Sequence, residues 1–509
     1  MELISNAQID QSTDYDRVQV YRQLPTLCLM DMTTAETNIQ MASAIQTSSQ
    51  NNESNLFASM PRDILLAIFE EDVGEKQGVV DALSHLSPIW RLGQVCTHWR
   101  QSLRSHPVLW SRLCVNFGNF PAVKPRVLES RFRKLVQLSG TSVLHIRVLM
   151  AASSTCDLGD RIAGALRDVA ERIGELGINF ASYIRPPGVD RATSPLPVLQ
   201  SELLKNCVFS ALHTLTIAIP FGIVKLGDAD PRVDAFSKSP LLRCIHLQEE
   251  SHHIEFVLPY ENITTVDANG GRFDYIISKL KKATDVNLNL CPRSNSFRGA
   301  YPPEVPFRST PTWQPDALKT LKRVRFRSFM FDVRPGGNRT NIFLSLHAHT
   351  LRTLEFVASS TQLIQILEMI PDIALRGLHE LIAFCVHETP AYMDGNVQSF
   401  MHVMTRMPAL RSLSISERFG HYVLCALKEG SGLVPALAVL KISPELLKQD
   451  GEMVVCIARE RRDTLSFEVI VSNSYPSWGP PERFVSTVLE SDAAIFWKEL
   501  VALVSVRVV

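Results

Sequence analysis

The ten cysteines of this chain never form a C-x-x-C pair, and none stands with histidines at zinc-finger spacing. Cysteine knuckles and dithiol redox motifs are thereby excluded, and the residues read as free thiols in a reducing compartment. Runs of 18 apolar residues are also missing, so no transmembrane helix and no membrane partner is expected. The opening MELISNAQID has neither the basic region nor the apolar stretch of a secretory signal. The Asn-x-Ser/Thr matches at Asn52, Asn262 and Asn338 therefore read as chance rather than as glycosylation sites. A soluble protein of the cytoplasm, the nucleus or both follows. Charge of one sign is lacking too, because 52 Lys and Arg balance 52 Asp and Glu. Such a chain has no overall electrostatic footprint for nucleic acid, and none is expected as a partner.

Signatures of catalysis are equally scarce. There is no G-x-S-x-G elbow, no G-x-x-x-x-G-K-[ST] phosphate loop and no H-E-x-x-H metal pair. Gly270-Gly271 and Gly336-Gly337 read as turns. His252 and His253 are adjacent, and adjacent residues point to different faces, so they read as a surface pair. Arg459, Arg461 and Arg462 read as stabilisers of a helix C-terminus. No catalytic residue, metal ligand or cofactor is expected, and the chain reads as a binding protein rather than an enzyme.

What is present begins with size. A chain of 509 residues allows about two to four domains, and 45% hydrophobic with 20% charged residues is an ordinary globular balance. Residues 1–55 are polar, with seven Asp and Glu against Arg17 and Arg22, and read as a disordered tail. A helical module follows over 56–118. Pro61 suits a first helical turn, where a missing N–H costs nothing. Ile64, Leu65, Leu66, Ala67, Ile68 and Phe69 then make a short helix apolar on nearly every face, which needs two burial partners. Residues 71–86 read as a polar loop leading into a weak apolar segment. Ser87 and Pro88 start a second helix carrying Ile89, Leu92, Val95, Cys96, Trp99 and Leu103 at helical spacing. His106-Pro107 breaks it. Leu109, Trp110 and Leu113 suit a last short helix, and Val115 and Phe117 lead into extended structure.

Residues 119–509 alternate between two patterns. One is a short L-x-x-L-x-L-like strand, seen at Leu212-Leu215-Ile217, Leu242-Ile245-Leu247, Leu321-Val324-Phe326, Leu351-Leu354-Phe356, Leu410-Leu413-Ile415 and Leu437-Leu440-Ile442. Weaker copies begin at Leu144, Ile263, Val286, Leu378 and Leu465. The other is an amphipathic helix, read from Ile162, Leu166, Val169, Ile173 and Leu176, from Val397, Phe400, Met404 and Met407, and from Leu199, Leu203 and Val208. Strand then helix, repeated, predicts a solenoid with a parallel sheet on its inner face. The Asn or Cys that follows the last Leu of a regular repeat is replaced, by Pro220, Ser359 or Glu250, so the asparagine ladder is absent and an irregular solenoid is expected. An ordinary α/β domain is the alternative. The proline-rich loops 291–317 and 473–483 are candidates for a binding edge or for solvated spacers.

The spacing of residues 60–117 resembles the F-box, in particular the long-insert form common in mushroom-type fungi. Pro61, Ile64, Leu65, Ile68 and Phe69 match its first part. Leu92, Val95, Cys96, Trp99 and Arg100 match the middle, and Pro107, Leu109, Trp110, Ser111 and Leu113 the close. Met60 stands where that pattern has Leu, and Asp63 where it has Glu. The fold class implied is α/β: a small all-α F-box module followed by an irregular leucine-rich-repeat-like α/β solenoid. The resemblance also implies a substrate-recognition subunit of a Skp–cullin–F-box ubiquitin ligase, acting in ubiquitin-dependent degradation. A Skp-type adaptor, and through it a cullin, would be one partner, and an unknown protein substrate the other. Met60, Pro61, Ile64, Leu65 and Ile68 would face the adaptor. Phe69, Leu92, Val95, Cys96, Trp99, Leu109, Trp110 and Leu113 would form the module's core. A non-catalytic interaction scaffold that does not direct ubiquitylation is the second reading.

Overall fold

The computed structural model describes residues 60–74, 81–84, 87–120, 123–151, 156–181, 198–219, 232–249, 254–270, 276, 279–289, 319–327, 349–358, 360–385, 396–415, 417–430, 432–469 and 493–508. The tail at 1–55, the loops 291–317 and 473–483, His252, His253 and Gly336-Gly337 lie outside them. The chain divides into two units, 1–61 and 62–509. Met60 and Pro61 are the described residues of the first.

The second unit is mixed α/β and is built on a large parallel sheet. Its first strand is β1 (Arg112–Asn116), followed by β2 (Leu144–Ala151), β3 (Ile173–Ala181) and β4 (Thr214–Ile219). Then come β5 (Arg232–Val233), β6 (Cys244–Glu249), β7 (Glu255–Phe256), β8 (Thr265–Gly270), β9 (Asp285–Asn289) and β10 (Arg323–Arg327). The series closes with β11 (Thr353–Ala358), β12 (Glu380–Cys385), β13 (Ser412–Ile415), β14 (Val439–Ile442), β15 (Ser466–Val469) and β16 (Val506–Val508). Fourteen of these pair side by side in chain order, and β5 and β7 form a separate two-stranded parallel sheet.

Alternation explains why the sheet holds. In β4 every second residue is buried, as a period of two requires when one face packs on a core. Parallel register then lines up equivalent positions. Leu215, Ile245, Val266 and Val286 form one such row, continued by Val324, Leu354, Leu381, Leu413 and Leu440. All are buried, and each such side chain contributes about 1.5–3 kcal/mol relative to leaving it in water. Phe326 and Phe356, one position pair along, stack at 5.4 Å. The intervening positions, among them His246, Asp267, Asn287, Arg325 and Glu355, share the opposite face.

No asparagine ladder is needed, because the backbone of the turns stitches them together. Thr284 and Asp285 donate both their N–H groups to the Thr264 carbonyl, and Lys322 and Arg323 donate theirs to Thr284. The same two-to-one bond recurs from Arg352 and Thr353 to Lys322, from His379 and Glu380 to Arg352, and from Arg411 and Ser412 to His379. Threonine hydroxyls add to it: Thr320 Oγ1 donates to the Ala283 carbonyl at 2.9 Å, and Thr350 Oγ1 to the Leu321 carbonyl at 2.8 Å.

The helices between strands pack on their neighbours in sequence. Asn396–Thr405, Glu417–Glu429, Pro444–Glu460 and Ala493–Leu503 make one such series. Two helical expectations are corrected. The pattern read across 162–176 stops early: the helix is Cys156–Arg167, and Ile173 and Leu176 belong to β3. Val169 leaves helical dihedrals, and Leu176, Ile178 and Phe180 alternate as a strand. The pattern at Leu199, Leu203 and Val208 contracts to one turn, Glu202–Lys205, with Val208 half exposed. Arg461 closes its own helix with its backbone N–H, which bonds the Ile457 carbonyl at 3.0 Å, and sends its side chain elsewhere. Its guanidinium donates to the Leu433 carbonyl at 2.8 Å, while Arg459 pairs with Glu499.

Candidate functional site: a helical module with exposed isoleucines

Among the described residues the module that feeds β1 has three helices, α1 (Arg62–Gly74), α2 (Pro88–Val95) and α3 (Thr97–Arg104), and a 3-10 turn at Pro107–Trp110. The first helix runs five residues beyond Phe69, into the stretch read as loop. The expected single helix over 88–103 is two. Cys96 adopts extended dihedrals (φ −158°, ψ 172°), and its Sγ accepts the Trp99 N–H at 3.5 Å, capping α3. Pro88 occupies the start of α2, but Ser87 makes no side-chain cap bond.

The core is aromatic. Phe69 meets Trp99 edge-on at 5.2 Å, and Trp90 meets Trp110 edge-on at the same separation. Such pairs contribute about 0.5–1.5 kcal/mol beyond burial. Two indole N–H groups find acceptors: Trp110 Nε1 donates to the Leu103 carbonyl at 2.9 Å, and Trp90 Nε1 to the Ala82 carbonyl at 2.7 Å. Arg100 Nε reaches back to the Gly93 carbonyl at 2.9 Å, tying α3 to α2. Asp81 fastens the inter-helix segment to the sheet. Its carboxylate accepts from the Asn116 and Leu83 backbone N–H groups at 3.1 and 3.0 Å. The Cys114 thiol beside it is pushed up, first by burial and then by the Asp81 charge.

The predicted residues separate by burial. Phe69, Trp99, Leu109, Trp110 and Leu113 are buried, and Leu113 lies in β1 rather than in a last helix. Leu92 and Cys96 are half-buried. Val95, expected in the core, is 51% exposed. It is the last residue of α2, and the break at Cys96 turns the chain away before a further turn covers it. Leu65, expected on the adaptor side, is 0% exposed, whereas Ile64 and Ile68 are 52% and 38% exposed. Residues four apart share a helix face, so Ile64 and Ile68 make one apolar strip while Leu65 and Phe69 make the buried one. Met60 is half-buried and Pro61 exposed in their own unit. Trp90 and Asp81 were missed. Trp90 carried a signal in its type alone, since a large ring with one N–H seeks both cover and an acceptor. Nothing local marks Asp81.

Residues 57–116 match the F-box-like family. The F-box-like domain thus covers the three helices, the 3-10 turn and the first strand of the sheet. Domains of this family typically bind Skp-type adaptors in Skp–cullin–F-box complexes, and generally act as non-catalytic substrate adaptors. No curated protein matches the chain. Among the described residues no helix is long and apolar enough to cross a membrane, and no cluster of three His, Cys, Asp or Glu could hold a metal ion.

Proposed function

We propose that the protein is the substrate-recognition subunit of a Skp–cullin–F-box ubiquitin ligase. The F-box-like domain docks the adaptor, and the parallel sheet, read as an irregular leucine-rich-repeat solenoid, binds the target. The observation that carries the docking half is the split along α1. Leu65 and Phe69 complete the domain's own core, and Ile64 and Ile68 remain in water on a neighbouring strip. Helix-in-groove docking uses apolar anchors at i and i+4.

The target half is supported by the polar face of the strands. His246 and Asn287 both reach Asp267, at 3.4 and 2.9 Å. Arg325 pairs with Glu355 at 2.5 Å, and Lys441 lies between Glu380 and Glu468 at 3.4 and 3.6 Å. On the same face Asn179 Oδ1, Asn287 Oδ1, Ser412 Oγ and Ser414 Oγ are buried without a protein partner. In this reading the chain does no chemistry; it raises the effective concentration of a target lysine near a ubiquitin-charged enzyme.

The test is co-purification of the full chain with a Skp adaptor and cullin. The double variant Ile64→Asp, Ile68→Asp is expected to lose the adaptor while keeping its melting temperature. Retention of the adaptor by that variant would overturn the docking surface. Binding of adaptor without cullin recruitment would favour the scaffold reading.

A further inference from the structure

A cysteine, a histidine and an aspartate line up far from the F-box-like domain. His421 and Cys425 lie one turn apart on the helix Glu417–Glu429, and Asp450 lies on the next helix, Pro444–Glu460. His421 Nδ1 stands 2.8 Å from Asp450 Oδ1, and His421 Nε2 stands 3.6 Å from Cys425 Sγ. The carboxylate accepts the Nδ1–H, which leaves the Nε2 lone pair for the thiol. Asp450 is the one residue inside its helix with non-helical dihedrals (φ −122°, ψ 25°), and it is this residue that reaches His421. The imidazole is half exposed, whereas the aspartate is largely covered.

We propose that Cys425 is a base-assisted nucleophilic thiol, a modification site for α,β-unsaturated carbonyl electrophiles. The S–C bond forms at the alkene β-carbon, and the π pair moves to the α-carbon. The thiol proton passes to His421 Nε2 and from there to that carbon, so no oxidant or leaving group is required. Asp450 is a positioning residue: it fixes the tautomer and stabilises the imidazolium that forms. Activation by an adjacent base suits the charge environment. Burial first, then Asp450 and Glu429, push the thiol up, with Lys428 opposing. Cys425 is therefore no standing thiolate, and its reactivity depends on the imidazole. Among the described cysteines, Cys114 and Cys207 are buried, and Cys96 caps a helix. Cys244 and Cys456, as half-buried as Cys425, serve as internal references.

The test uses the full chain and N-ethylmaleimide, with site-resolved mass spectrometry of alkylation rates from pH 6 to 9. Cys425 is expected to react faster than Cys244 and Cys456. His421→Gln is expected to slow Cys425 about a hundredfold, the low end of what a positioned base supplies, and to leave the reference rates unchanged. Asp450→Asn is expected to slow it less and to move its pH profile. Unfolding of either variant would raise the reference rates and be recognised by that. Equal rates at Cys425 and the references, or no effect of His421→Gln in a folded chain, would overturn the proposal.

Discussion

Ile64 and Leu65 are consecutive in sequence and opposite in environment. Leu65 is fully sealed from solvent, while Ile64 leaves half its surface in water. Substitutions at the two positions therefore separate folding from docking. Leu65→Ala removes a fully buried side chain and is expected to cost about 2–5 kcal/mol. Ile64→Ala is expected to stay within about 0.5 kcal/mol of the parent. Urea denaturation of the full chain distinguishes the two, and equal losses would contradict the assignment of faces.

Trp110 anchors the close of the F-box-like domain through one buried hydrogen bond to the Leu103 carbonyl. Trp110→Phe keeps most of the ring but removes one of the donors to that carbonyl, which still accepts the His106 N–H at 3.2 Å. The lost bond is expected to cost about 0.5–1.5 kcal/mol, beyond the lost ring volume. Thermal melting against Trp90→Phe, which removes a bond to Ala82 in a less buried place, should rank Trp110 as the more damaging change.

Gly174 lies where the register of β2 and β3 shifts between Leu144 and His145. A Cβ there would stand 2.8 Å from Val143 Cγ1 and 3.1 Å from His213 Nε2. Gly174→Ala is expected to destabilise by about 1–3 kcal/mol through overpacking. Gly177, whose Cβ would meet only ordinary contacts with Arg147, is the matched control, and its alanine variant should melt closer to the parent.

The helices Pro125–Leu138 and Cys156–Arg167 are joined by charge. Arg133 reaches Asp168 at 2.6 Å and Glu129 at 2.9 Å, and Arg161 reaches Glu129 at 3.1 Å. The Arg133 hydrogen bond holds the Asp168 carboxyl below its ordinary value against partial desolvation. At Glu129 desolvation opposes, but the bonds from Arg133 and Arg161 outweigh it. A carboxyl depressed in the folded state contributes stability above its unfolded pKa, about 4. That contribution is lost as pH falls through the depressed folded value. Protection factors for hydrogen exchange across 125–167 are expected to fall below pH ~4 in the parent, and to depend less on pH in Arg133→Met.

Arg406 closes the end of the helix Ser360–Met369. Its guanidinium donates to the carbonyls of Leu367 and Ile370 at 3.2 and 2.5 Å and pairs with Asp372 at 2.6 Å. Arg406→Met is expected to raise exchange at residues 366–375 selectively, since those helix-end carbonyls lose their donor. Uniform loss of protection would point to global destabilisation instead.

Periodicity carried much of the fold. The L-x-x-L-x-L copies coincide with β2, β4, β6 and β8 through β15 of the large sheet, because alternation is a local consequence of a one-sided sheet. The helix read across Ile173 and Leu176 failed because a 4-3-4-3 spacing overlaps a strand's alternation when the two elements abut. The break at Cys96 went unread because it shows only in that residue's extended dihedrals and in the sulfur that accepts the Trp99 N–H, which no residue pattern announces. In the candidate site, the surplus of apolar residues on α1 was legible, but the assignment of Leu65 was not.

The sequence by itself determined that residues 57–116 carry an F-box-like pattern, that strands would recur after it, and that familiar catalytic motifs are missing. Those properties are written in spacing, which is local. Tertiary structure decided which side of α1 meets the core, how Asp81 reaches Asn116 across 35 positions, and that His421 stands between Cys425 and Asp450. Such relations depend on which elements pack together, and that is fixed by burial summed over the whole sheet rather than by any one segment.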